Sequence, residues 1–100
     1  AEYLRCYNNP ETIHAICEDY RAAATIDLDH DRADRETLLE VPVLAIWGAD
    51  GVVGQTYDVV QTWKEKARTV RGIVLPCGHA IPEEAPEALL SALLEFLEDR

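Results

Sequence analysis

The apolar segments of this 100-residue chain predict an α/β fold. Residues 42–47 (PVLAIW) and 69–75 (TVRGIVL) are short runs with almost no polar side chain, the composition of strands covered on both faces. Each run is followed by a stretch whose apolar residues recur at helical intervals, which gives strand, helix, strand, helix with short turns. That order predicts two parallel strands joined by a right-handed crossover.

Residues 1–9 have no clear period. Asn9-Pro10-Glu11 then reads as a helix start, with asparagine as N-cap, proline in the first turn and a carboxylate facing the positive helix end. This helix is predicted to run to about residue 24 and to bury a face made of Ile13, Ile16, Cys17, Tyr20 and Ala24. Residues 25–34 are dense in charge but lack glycine and proline, so a second short helix follows. Residues 35–40 form the linker into the sheet, because Pro42 disfavours helix at the residue before it. The first strand ends in the turn Gly48-Ala49-Asp50-Gly51. A crossover helix is predicted over residues 55–67, with Tyr57, Val60, Trp63 and Ala67 as its apolar stripe. Trp47 and Trp63 read as packing residues. After the second strand, Pro86 opens a last helix with Leu89, Leu90, Leu93, Leu94 and Leu97 on one face.

Composition excludes several function classes. With 9 Lys+Arg against 19 Asp+Glu and a net charge of −10, the chain lacks the cationic clusters that nucleic acid or anionic membrane would need. No apolar run approaches a membrane span. The 3 cysteines, Cys6, Cys17 and Cys77, form no Cys-x-x-Cys pair, which points to a reducing, cytoplasmic setting. His14, Cys17, Cys77 and His79 match no common zinc spacing, so neither metal nor cofactor is expected. The chain holds no methionine, and two all-apolar strands do not make an independent sheet. A fragment with further strands N-terminal to residue 1 is therefore expected.

The chemistry centres on His79, in Pro76-Cys77-Gly78-His79 just past the second strand. Open α/β folds place reactive groups at the carboxyl ends of parallel strands, and an imidazole there can act as a base. The local sequence equally permits a surface-loop histidine. Asp50 reads as turn chemistry and Cys77 as a buried structural thiol.

Three stretches, NPETIHAICEDYRAAATIDLDHDRAD, PVLAIWGADGVVGQTYDVVQTWKEKA and LPCGHAIPEEAPEALLSALLEFL, resemble the C-terminal part of an α/β-hydrolase. Within that superfamily they are most similar to haloacetate dehalogenases of the fluoroacetate type. The resemblance implies the last two parallel strands and flanking helices of that fold, preceded by the end of a helical cap. Residues 1–38 would be cap and residues 39–100 the βαβα part of the core. It assigns His79 as the general base and Tyr20 as a contact to the departing halide. The nucleophilic aspartate and its acid partner would lie on earlier strands, outside this chain. Many α/β-hydrolases carry the acid in a Gly-x-x-Asp motif after the strand corresponding to PVLAIW, yet here that position is Gly51. The dehalogenase branch, whose acid follows an earlier strand, agrees with this departure. The implied reactants are a small haloacid substrate and water, with no cofactor, and a homodimeric parent is compatible. The chain by itself should be inactive. Alternatives are another α/β-hydrolase, such as an epoxide hydrolase or esterase, or a non-catalytic acidic interaction module.

Overall fold

The computed structural model describes residues 1–99, which divide into two compact units; the first is Ala1–Glu36 and the second begins at Thr37. The first unit is helical: α1 (Glu2–Tyr7), α2 (Pro10–Ala23) and α3 (Ile26–Ala33). Helix α1 is one the sequence pattern missed, and a Glu2–Arg5 ion pair one turn apart accompanies it. Helix α2 starts as predicted, with the Asn9 Oδ1 accepting the Glu11 N–H at 2.9 Å. The face expected to be buried is not. No α2 residue is buried, Ile13 is half exposed and Tyr20 is 76% exposed; within this unit α2 packs against the short helices α1 and α3.

The second unit contains β1 (Val43–Gly48), α4 (Val52–Thr56), α5 (Val59–Lys64), β2 (Val70–Leu75), α6 (Ile81–Glu84) and α7 (Pro86–Glu98). The strands pair in parallel, with Val43 opposite Val70 and Gly48 opposite Leu75. A parallel bridge between Leu39 and Ala67 extends this pairing, and the Arg68 guanidinium holds the Glu40 carboxylate beside it at 2.7 Å. The described residues form a sheet of these two strands.

The predicted crossover helix is broken into α4 and α5. Tyr57 is extended (φ −124°, ψ 147°), and the Asp58 carboxylate accepts the Gln61 N–H at 3.0 Å. A strong capping residue thus restarts the helix where the apolar stripe alone suggested continuity. Trp47 has the packing role expected of it. Its indole lies so close to Gly54 and Gly72 that a Cβ at Gly54 would sit 2.5 Å from the ring and one at Gly72 3.1 Å. Two glycines therefore make room for one tryptophan between α4 and β2.

Registered partners in a parallel pair point to the same side of the sheet. Val60 of α5 reaches Gly72, on the side carrying Ala45 and Trp47. Arg71 points to the opposite side and pairs with Glu95 and, at 3.2 Å, Asp99, which tether α7 there. This accounts for the single charge in the second strand. The core is built mostly of small side chains: Ala45, Val59, Ala67, Leu75, Cys77 and Ala92. On α7 only Ala92 is buried, with Leu89 and Phe96 partly covered, whereas Leu90, Leu93, Leu94 and Leu97 are exposed. Val74 on β2 is also exposed, so the strands are not covered on both faces within this chain.

Candidate functional site

His79 is held on a loop seated against the end of β1. The Ala49 N–H donates to the Leu75 carbonyl at 2.8 Å, and the Asp50 N–H donates to the Cys77 carbonyl at 3.0 Å. These bonds carry the strand pairing one step beyond the sheet and join the two turns. Asp50 contributes through its backbone, in keeping with its reading as a turn residue. Gly48 has the closest approach. A Cβ there would overlap the Gly78 and Cys77 carbonyl oxygens and lie 2.8 Å from the Gly78 carbonyl carbon. Since no described glycine has positive φ, the requirement at Gly48 is for space. A small open cavity of about 110 Å³ follows, lined by Trp47, Gly48, Gly51, Val53, His79 and Ile81 among others. The imidazole is exposed at its edge.

Beyond His79 the chain enters α6, and Glu84 at its end folds back. Its carboxylate accepts the Gly78 N–H at 2.6 Å and the Ala80 N–H at 3.1 Å, the two amides flanking His79. Sequence reasoning missed both Glu84 and Gly48. The available signal was the spacing: a glycine at the end of β1, and a Pro-Glu-Glu turn of helix within five residues of the histidine.

Cys77 is 6% exposed beneath this loop. Burial pushes its thiol pKa up, and the Glu84 and Asp50 carboxylates add to the effect. It is therefore an unreactive thiol. Iodoacetamide at about pH 8 is expected to label the exposed Cys6 and Cys17 and spare Cys77 in the folded protein. Peptide mass spectrometry reads the outcome, and equal labelling of all three would contradict it. The folded thiol holds its proton more tightly than the unfolded one, so its contribution is intact below the unfolded value of about 8.5 and declines as pH rises through the folded one.

Tyr20 belongs to the first unit and His79 to the second. Tyr20 projects from α2 as an exposed phenol rather than the core tyrosine that its helical spacing allowed. Among the described residues, no group of three or more His, Cys, Asp or Glu side chains is placed to hold a metal ion. No helix of the described residues is long and apolar enough to cross a membrane.

No protein-family model matches the chain. Over nearly its whole length it resembles curated proteins. It is 32% identical to a fluoroacetate dehalogenase of Burkholderia sp. over 98% of this chain, and 34% identical to a soluble epoxide hydrolase of Corynebacterium sp. (strain C12) over 96%. Among solved structures, it matches ALR0039 of Nostoc sp. PCC 7120, provisionally described as an α/β-hydrolase, at 55% identity and TM-score 0.93 over 96% of this chain and 33% of that one. The fold is that of the C-terminal portion of an α/β-hydrolase. A Salmonella enterica protein provisionally described as an acyltransferase also matches, at 60% identity and TM-score 0.94 over 98% of this chain and 33% of that one. The chain spans 32% of the length of each of the two curated relatives. Those relatives are hydrolases, and the α/β-hydrolase portion described here places His79 at the carboxyl end of its second strand.

Proposed function

We propose that this chain is part of an enzyme that hydrolyses the carbon–halogen bond of a haloacetate, with His79 as the general base. The observation that carries this reading is the similarity to a fluoroacetate dehalogenase over 98% of the chain, together with a histidine presented on an anchored strand-end loop. An aspartate on an earlier strand of the parent protein, outside these 100 residues, forms a bond from its carboxylate oxygen to the halogen-bearing carbon. The carbon–halogen bond breaks, and the halide leaves with the electron pair. Water then gives a proton to His79 as its oxygen attacks the ester carbonyl. Collapse expels the hydroxy-acid oxygen, which takes the proton back from His79; the aspartic acid left behind gives the second water proton to solvent, and the carboxylate is regenerated. Histidine suits this step because a neutral imidazole carries a basic nitrogen able to accept the water proton. Tyr20, on the cap portion formed by residues 1–38, donates its phenolic proton toward the departing halide, a role its exposure on α2 leaves open to it. The reactants are a small haloacid and water, and this chain alone lacks the nucleophile.

A second reading is epoxide hydrolysis, favoured by the 34% identity to the Corynebacterium enzyme. Halide-release, epoxide-opening and acyl-ester assays on the complete protein separate the candidates. Halide release from a haloacetate with no turnover of the other two substrates is the expected result. Turnover of epoxide without halide release would sink the dehalogenase reading, and a serine in place of the nucleophilic aspartate would redirect it to acyl chemistry.

A further inference from the structure

We propose that Glu84 is the positioning residue for His79, its carboxylate clamping the loop through the amides on both sides of the histidine. The inference rests on the reading of His79 as the general base. The loop has two sides, and different parts of the fold hold them. Its N-terminal side is fixed by β1 and the turn after it, through Gly48 packed on the Gly78 carbonyl and the Asp50 N–H bonded to Cys77. From beyond the C-terminal end of the loop, Glu84 supplies two side-chain bonds, with one carboxylate oxygen on Gly78 at 2.6 Å and the other on Ala80 at 3.1 Å.

Helix capping accounts for half of this arrangement. Ala80 is the N-cap of α6, and its carbonyl accepts the Glu83 and Glu84 N–H groups, so a side chain reaching back to the Ala80 N–H is akin to a capping box, made here by the residue after the usual third position. The Gly78 N–H lies outside the helix, and capping does not require it. Gly78 also lacks the Cβ that would sit 2.9 Å from both Glu84 oxygens, so the sequence leaves room at that residue for the carboxylate to approach. Two amides separated by one residue both donate to one carboxylate, which restrains the backbone of the residue between them. That residue is His79. A base must stay within hydrogen-bond reach of its water through the attack, and restraint of its backbone shortens the search for that geometry.

Chemistry decides the variants. Glutamine keeps one acceptor oxygen but turns an NH2 group toward the second amide, so it loses half of the clamp; alanine loses all of it. In the complete protein, Glu84→Gln is expected to lower steady-state turnover about tenfold and Glu84→Ala about 100-fold, the scale of small misplacements of a catalytic group. The first halide is still released at one per active site, KM does not rise, and the ester-bound enzyme accumulates in intact-mass spectra. Hydrogen exchange at the Gly78 and Ala80 amides accelerates in both variants. Glu87→Gln, an equal charge change on the exposed first turn of α7, serves as the control. Turnover of Glu84→Gln equal to that of Glu87→Gln overturns the proposal. So does a parallel loss of the halide burst and of turnover with a lowered melting temperature, which marks a merely structural residue. If the unsubstituted protein releases no halide, the substrate reading fails by itself. Amide exchange then judges the clamp: acceleration supports it and unchanged exchange refutes it.

Discussion

Under the proposed haloacetate hydrolysis, replacing His79 with glutamine in the complete protein is expected to lower turnover by about 1,000-fold, within the range by which a positioned base accelerates proton transfer. Glutamine retains a similar shape and hydrogen-bonding capacity but has no basic nitrogen. The loss should fall on the second chemical step alone. In the proposed mechanism the aspartate still displaces the halide once, so rapid-quench measurements should show one equivalent released. Intact-mass spectra should then show the enzyme carrying the carboxymethyl ester. Hydrogen bonds that seat the loop involve the backbone of residues 77, 78 and 80 and the Glu84 carboxylate, so the substitution should leave the melting temperature nearly unchanged. Undiminished turnover would remove His79 from the mechanism. Loss of the burst together with turnover would place its role before ester hydrolysis.

The second large effect is expected at Gly48. Gly48→Ala places a methyl group where the Gly78 and Cys77 carbonyl oxygens lie, and these are backbone atoms that do not move aside as a flexible side chain does. Overpacking of this kind costs about 1–3 kcal/mol, and Gly48→Val should exceed Gly48→Ala. The strain is relieved by moving the His79 loop away from β1. Activity is therefore expected to fall about 100-fold even where the protein still folds. Gly51→Ala gives the contrast. Its Cβ meets the Gly48 carbonyl oxygen at 3.3 Å and its other near neighbours at 3.6 Å, so a shift of a few tenths of an ångström suffices. Chemical denaturation of the complete protein and steady-state assays check both substitutions. Equal stability of Gly48→Ala and Gly51→Ala would refute the account of the seat.

Gly48 and Glu84 show where local pattern stops being informative. A glycine at a strand end reads as part of a turn, and the sequence around it does not disclose that another loop, thirty residues on, rests on its bare Cα. Glu84 reads as one of two acids in a short helix. Which of the pair turns back toward Gly78 depends on the direction in which α6 leaves the loop. The same limit explains the break at Tyr57-Asp58. An apolar stripe over residues 55–67 fits one helix, whereas the observed chain interrupts it with an extended tyrosine and a fresh cap. On α7 the leucine pattern marks an apolar face, yet four of its five leucines, Leu90, Leu93, Leu94 and Leu97, are exposed, and the covered positions are Leu89, Ala92 and Phe96.

Sequence alone determined the strands, the start of α2 at Asn9-Pro10 and the parallel βαβα order, because these rest on apolar periodicity, capping chemistry and short-range order along the chain, whereas the α/β-hydrolase class came from the resemblance of three stretches to that superfamily. It also singled out His79 by its place after the second strand. Tertiary structure decided how that histidine is held: by contact between the ends of β1 and β2, and by a carboxylate returning from α6. Those contacts join residues distant in the chain or set by the path of a turn, and their requirement is for space and donor direction, quantities that no one-dimensional period records.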